Sequence, residues 1–263
     1  MNIIGIIIAA LIVGMIGLII GLLLGAAGEK FKIEVDEKEL KIRGILPGNN
    51  CGGCGFPGCD GLAKAIAQGE ADVNACPVGG DTVAKVIGEI MGKAGGGMEK
   101  MVAFVKCAGT SDKTKTKYNY YGSKDCKKAS IAPGGGEKKC TFGCMGYGTC
   151  VKACMFDAIH VIDGIAVVDR EKCAACKQCV LACPKNLIEL VPYKAEHLIQ
   201  CNSQDKGKQV KEGCVTGCIG CTLCVKECEF DAIQFKDNLA HIDYNKCTNC
   251  GKCAIKCPVK VIV

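Results

Sequence analysis

The run of cysteines from Cys140 to Cys183 returns 74 residues later without a slip, and no other feature constrains the fold of this chain so tightly. Cys140, Cys144, Cys150, Cys154, Cys173, Cys176, Cys179 and Cys183 shift onto Cys214, Cys218, Cys224, Cys228, Cys247, Cys250, Cys253 and Cys257. The residues between keep step: Phe156, Asp157, Ala158 and Ile159 match Phe230, Asp231, Ala232 and Ile233, and Pro184 matches Pro258. One small unit has been duplicated. A chain of 263 residues with 24 cysteines, 35 glycines and no tryptophan cannot rest on one large apolar core, so its modules need staples.

Disulfides or metals would serve, and the spacing selects metal. The C-x2-C-x2-C-x3-C-P run, at Cys173 to Pro184 and again at Cys247 to Pro258, is the ferredoxin pattern, in which three cysteines hold one [4Fe-4S] cube and the fourth holds its neighbour. By that crossed rule Cys173, Cys176, Cys179 and Cys154 form one set in the first copy, and Cys140, Cys144, Cys150 and Cys183 the other. The latter set is irregular. Tyr147 stands where a ligand is expected, so Cys140 must reach in from upstream. The second copy is complete: Cys218, Cys221, Cys224 and Cys257 make one set and Cys247, Cys250, Cys253 and Cys228 the other, with Cys214 as a substitute for Cys221.

A separate C-x2-C-x4-C-x16-C-P module, Cys51, Cys54, Cys59 and Cys76, supplies a further set in a glycine-rich loop able to wrap closely; a structural zinc is the alternative occupant. Five cubes use 20 cysteines and leave Cys107, Cys126, Cys201 and Cys214. These read as free buried thiols, with a sixth cluster built from the same four as the alternative. Cys126 and Cys201 sit at similar distances ahead of Cys140 and Cys214, which pairs them as corresponding parts of the duplicated unit. Thiolate ligands and reduced iron imply a reducing compartment.

The formal charge of +6 suggests a nucleic-acid partner until the cofactors are counted. A cube on four thiolates carries about two negative charges, so five would bring the assembly to about −4. With no RNP-type aromatic run or basic helix, nucleic acid is set aside as a partner.

Residues 3 to 27 carry no charged side chain and would span about 37 Å as a helix, enough to cross a bilayer. No basic n-region precedes them, which favours a transmembrane anchor over a cleaved signal peptide. Lys30, Lys32, Lys38, Lys41 and Arg43 follow the span, an asymmetry that places the cluster domains in the cytoplasm. Gly17, Gly21 and Gly25 form a stripe suited to close packing against another membrane helix. The span lacks ionisable groups, so any ion movement falls to other subunits.

The expected organisation is α+β. A transmembrane anchor at 1–28 is followed by a linker or hairpin at 29–46, the four-cysteine [4Fe-4S] module at 47–95 and a basic linker at 96–135. Two tandem bacterial-type 2[4Fe-4S] ferredoxin-like units occupy 136–195 and 208–263. The hairpin rests on the alternation in FKIEVDEKELKIRGIL, and the glycines at 95–97 read as a hinge. The lysines of the basic segment read as a solvated surface or as a docking face for an acidic electron carrier. Glu229 follows Cys228 where ferredoxins commonly place proline, and its carboxylate is expected to lower the potential of the nearby cube.

There is no G-x-G-x-x-G after a strand, no P-loop and no C-x-x-C-H, and His160, His197 and His241 read as structural or surface residues. The chain therefore reads as an electron relay without a substrate pocket, and hydride chemistry with a nicotinamide would require a flavin partner. In its order of parts, the membrane helix, the Cys51 to Pro77 module, the VKC…YNYYG…DC segment and the tandem ferredoxin units, the sequence resembles the RnfB family of the Rnf ion-translocating electron-transport complex. The resemblance covers nearly the whole chain. It implies a complex in the bacterial cytoplasmic membrane that passes electrons between reduced ferredoxin and NAD and couples this to Na+ or H+ translocation. This subunit would take electrons from reduced ferredoxin and deliver them to integral-membrane and flavin-containing subunits. Two rival readings are a membrane-anchored polyferredoxin of a hydrogenase or dehydrogenase, and a non-catalytic metal-binding redox sensor.

Overall fold

The computed structural model describes residues 3–30 and 36–263. Helix α1 (Ile3–Lys30) is unbroken, with a mean hydropathy of 3.1 in its most apolar window, and is long and apolar enough to cross a membrane. Leu11, Leu18, Leu22 and Leu23 are all exposed, leaving its surface apolar on every side.

Helix α2 (Glu37–Ile45) stands where the alternation predicts a hairpin, residues 31–35 of that segment lying outside the described residues. Its ends carry helix signals that the alternation obscures. Asp36 caps the first turn by accepting from the Lys38 N–H at 2.9 Å, Glu37 and Glu39 sit in that turn, and Arg43 sits in the last. Ile42 and Leu46, four residues apart, are buried against α3 (Gly58–Ala67) and α4 (Gly80–Met91). Burying a residue such as Ile42 stabilises by about 1.5–3 kcal/mol. That exceeds the roughly 1 kcal/mol range of strand propensity, so tertiary contact decides the local structure. Leu62, Ala63, Ile66 and Ile87 complete this small helical core.

The glycines after α4 do not form a free hinge. Gly96 N–H donates to Asn74 Oδ1 at 2.9 Å, Gly97 N–H donates to Asp81 Oδ1 at 2.5 Å, and a Cβ on Gly95 would meet the Ala84 carbonyl oxygen at 2.1 Å. The strap lies flat on α4 because only backbone without a side chain fits there.

Strand β1 (Met101–Val105), in the segment expected to be a linker, is structural. Beyond helix α5 (Cys126–Ser130), helix α6 (Thr149–Ala153), the hairpin β2 (Ile159–Ile162) and β3 (Ile165–Val168), and helix α7 (Gln178–Ala182) comes β4 (Ile188–Pro192). β1 lies antiparallel on β4, with Met101 opposite Pro192 and Val105 opposite Ile188. Residues 113–117 join the two copies: Lys115 N–H donates to the Gly213 carbonyl at 3.0 Å, Val215 N–H to that of Lys113 at 3.0 Å, and Lys139 N–H to that of Lys115 at 2.7 Å. The second copy continues with α8 (Gly207–Gly213), α9 (Leu223–Glu227), the hairpin β5 (Ile233–Lys236) and β6 (Leu239–Ile242), and α10 (Lys252–Lys256).

The two hairpins turn on Asp163-Gly164 and Asp237-Asn238, all four residues at positive φ, as a two-residue type I′ connection requires.

Candidate metal centres

Four helices of five residues, α6, α7, α9 and α10, place the cysteines of the duplicated unit. Each is entered through a left-handed residue, Gly148, Lys177, Thr222 or Gly251, which turns the chain sharply. Each carries one cysteine in its first turn and ends on another: Cys150 and Cys154, Cys179 and Cys183, Cys224 and Cys228, Cys253 and Cys257.

In the second copy Cys218, Cys221, Cys224 and Cys257 line one cavity of about 390 Å³, and Cys228, Cys247, Cys250 and Cys253 line another of about 360 Å³. Cys221 is therefore in the first of these groups and Cys214 is not. In the first copy Cys179 lies close to Cys173, Cys176 and Cys154, and burial, followed by the charges of those neighbours, pushes its thiol up to about 12.

The remaining group of the first copy departs from expectation. A cavity of about 400 Å³ is lined by Cys126, Cys144, Cys150 and Cys183, and Cys140 is not among its walls. Tyr147, which corresponds to Cys221, stacks on Tyr120 with ring centroids 5.8 Å apart and packs with Ala129, Met145 and Cys126. Cys126 is brought in by a local network. Asp125 caps α5 by accepting from the Lys128 N–H at 3.0 Å and takes a second bond from the Thr149 hydroxyl at 3.1 Å, while Cys126 N–H donates to that hydroxyl at 2.8 Å. Because Thr149 adjoins Cys150, the start of α5 is pinned to the start of α6. Cys140 instead faces Cys107, Cys201 and Cys214 across a separate cavity of about 530 Å³.

Backbone amides point at the sulfurs. Ala158 N–H lies 3.4 Å from Cys154 Sγ and Ala232 N–H 3.4 Å from Cys228 Sγ, one duplicated contact; Ala166 N–H reaches Cys144 Sγ at 3.4 Å and Ala103 N–H reaches Cys173 Sγ at 3.3 Å. Such donors favour the charged thiolate. Burial acts the other way, pushing Cys150 up to about 12 and Cys224 up to about 11, so these thiols need a cation to be held ionised. None of the 24 cysteines is paired in a disulfide. Sulfurs spread around a cavity with amides aimed at them fit a cube.

The four-cysteine module abuts the first copy. Cys76 lies near Cys54 and Cys59, and its Sγ accepts from Gly79 N–H at 3.3 Å. Asn50, itself at positive φ, accepts from Cys59 N–H at 2.8 Å and shapes the loop. Cys51 faces Cys176, and Gln178 Nε2 donates to the Cys51 carbonyl at 2.5 Å.

Comparison with known proteins finds iron-sulfur families over the same stretches of chain. Residues 46–78 match the family described as "Putative Fe-S cluster", 166–189 match the 4Fe-4S binding domain and 217–261 the 4Fe-4S dicluster domain. The chain is 47% identical to the B component of the Na(+)-translocating ferredoxin:NAD(+) oxidoreductase complex of Acetobacterium woodii, over 95% of this chain and 75% of that protein. It is 42% identical to the B component of the ion-translocating oxidoreductase complex of Methanosarcina acetivorans, over 94% of each. To the B component of the proton-translocating ferredoxin:NAD(+) oxidoreductase complex of Clostridium ljungdahlii it is 38% identical, over 94% of this chain and 88% of that protein. With 4Fe-4S domains in the same chain and relatives matched over nearly all of it, the protein belongs to the RnfB family of ion-translocating oxidoreductase complexes.

Proposed function

We propose that this chain is the electron-relay subunit of an ion-translocating ferredoxin:NAD oxidoreductase. It is anchored by α1, receives electrons from reduced ferredoxin and delivers them to integral-membrane and flavin-containing partner subunits. The observation that carries the reading is the seating of the Cys51 loop on the Cys176 loop, which sets neighbouring cysteine groups side by side instead of isolating each in its own module.

Bound [4Fe-4S] cubes accept and return single electrons. The chain's own contribution is position, amide donors and burial. Five groups would hold cubes: Cys51, Cys54, Cys59 and Cys76; Cys154, Cys173, Cys176 and Cys179; Cys126, Cys144, Cys150 and Cys183; Cys218, Cys221, Cys224 and Cys257; and Cys228, Cys247, Cys250 and Cys253. The last four groups make two tandem ferredoxin-like units, with Cys126 in the part that spacing alone gives to Cys140.

Lys30, Lys38, Lys41 and Arg43, next to α1, support a cytoplasmic position for these units. The exposed Lys115, Lys124, Lys127 and Lys128 offer a positive face for an acidic ferredoxin. The names of the relatives include both sodium and proton translocation, and α1 carries no ionisable side chain before Glu29, so the choice of ion rests with partner subunits.

The test is removal of the module's ligands in the assembled complex. Cys54→Ala or Cys59→Ala should abolish ferredoxin-dependent NAD reduction while the other clusters are still reduced by ferredoxin, read by electron paramagnetic resonance. Turnover that survives loss of the module's iron would overturn the route.

A further inference from the structure

We propose that Cys107, Cys140, Cys201 and Cys214 form a sixth thiolate site, holding a [4Fe-4S] cube on the boundary between the two ferredoxin-like copies. This rests on the reading of the other five groups as cube sites.

The four residues come as two equivalent pairs. Lys106 N–H donates to the Leu187 carbonyl at 2.8 Å, and Gln200 N–H donates to the Val261 carbonyl, also at 2.8 Å. Val261 stands 74 residues after Leu187, so Cys107 and Cys201, each next in the chain after its donor, hold the same place in the two copies. Cys140 and Cys214 are related by that same offset. The equivalence extends to what their sulfurs touch: Cys107 Sγ accepts from Cys144 N–H at 3.4 Å and Cys201 Sγ from Cys218 N–H at 3.3 Å, again matching positions.

The pairs meet across the boundary. A Cβ built on Gly109 would lie 3.5 Å from Cys107 Sγ and 3.5 Å from Cys214 Sγ, so sulfurs from opposite copies sit at most twice that distance apart. Cys140 lies within electrostatic reach of Cys214 and of Cys201. All four line one cavity, as each of the three cysteine groups already described lines its own. Gly109 itself has no room for a side chain, since its Cβ would also come within 2.6 Å of Thr114 Oγ1.

The surroundings suit an anion. Lys138 lines the same cavity, is 7% exposed, and directs its ammonium at the carbonyls of Gly109 and Gly164, each at 2.9 Å. Among the described residues no carboxylate pairs with it within 4 Å, and a buried cation without an anion is costly. The amides of Cys144 and Cys218 tie this site to one cube group on each side of the boundary. Neither copy can build it alone.

Iron and acid-labile sulfide per chain, measured on the anaerobically purified full-length protein, decide the matter. About 24 of each is expected, and about 20 of each overturns the sixth site while leaving the five-cube reading intact. Zinc with little sulfide would overturn both. Cys214→Ala should lose about four irons, and Cys126→Ala with Cys214→Ala about eight, because the two residues serve different cubes. A double variant losing only about four would return Cys126 and Cys214 to one site and sink the proposal. Should the variants fail to fold, the wild-type count still decides.

Discussion

Gln178 donates its side-chain amide to the backbone carbonyl of Cys51 at 2.5 Å, across the seam between the first ferredoxin-like copy and the four-cysteine module. Gly53 closes the same seam, since a Cβ there would meet the Cys176 carbonyl oxygen at 2.7 Å. Gln178→Ala removes one hydrogen bond of about 0.5–1.5 kcal/mol, so local opening should rise about two- to twelvefold. Gly53→Val forces backbone from backbone and should open the seam further. Hydrogen exchange of residues 50–58 should quicken in that order, with iron content unchanged in Gln178→Ala. Equal protection in all three proteins would show that these contacts do not hold the seam.

Cys126→Ala should empty one cube site and remove about four irons. Tyr147→Cys in the same chain should restore them, because Tyr147 occupies the place that Cys221 fills in the second copy and Cys221 lines its cavity. Rescue by a residue 21 positions away distinguishes a lost ligand from a damaged fold. Full iron in Cys126→Ala would remove Cys126 from the ligand set.

The duplication was legible because metal spacing survives any change in the residues between ligands. Helix α2 was not, since alternation at Leu40 and Ile42 mimics a strand and only burial of Ile42 and Leu46 against two other helices selects the helix. Spacing also pairs Cys126 with Cys201, whereas backbone hydrogen bonds pair Cys107 with Cys201. From Cys107 to Cys140 is 33 residues, but from Cys201 to Cys214 only 13. The excess carries α5 and Cys126, inserted in the copy that has Tyr147 in place of a ligand. An uneven repeat next to a missing ligand was the available signal, but it identifies no residue until backbone pairing aligns the copies.

Glu229 is expected from sequence to hold down the potential of the cube beside it, yet its carboxylate meets Lys252 Nζ at 2.5 Å. The two charges offset each other. Glu229→Gln should therefore raise the potential of the Cys228, Cys247, Cys250 and Cys253 centre, Lys252→Gln should lower it, and the double variant should return near wild type. Both groups are exposed enough to be screened, so the shifts should shrink as ionic strength rises. A redox titration in which the two single variants move the potential in the same direction would refute the offset.

Lys138 is the buried counterpart of that surface pair. Its charge acts on Cys107 and Cys144, and two carbonyls are its hydrogen-bond partners. A fixed positive charge favours the reduced state of a nearby centre, which carries one more electron. Lys138→Met keeps the side chain's length and removes the charge, so the centre at Cys144 should become harder to reduce, whereas Lys138→Arg should hold its potential near wild type. Because Lys138 is shielded from solvent, this shift should persist at high salt, unlike that at Glu229. Redox titrations at low and high ionic strength separate the two cases. An unshifted Cys144 centre in Lys138→Met, with iron content intact, would mean that the ammonium serves only to bind the carbonyls of Gly109 and Gly164 and sets no potential.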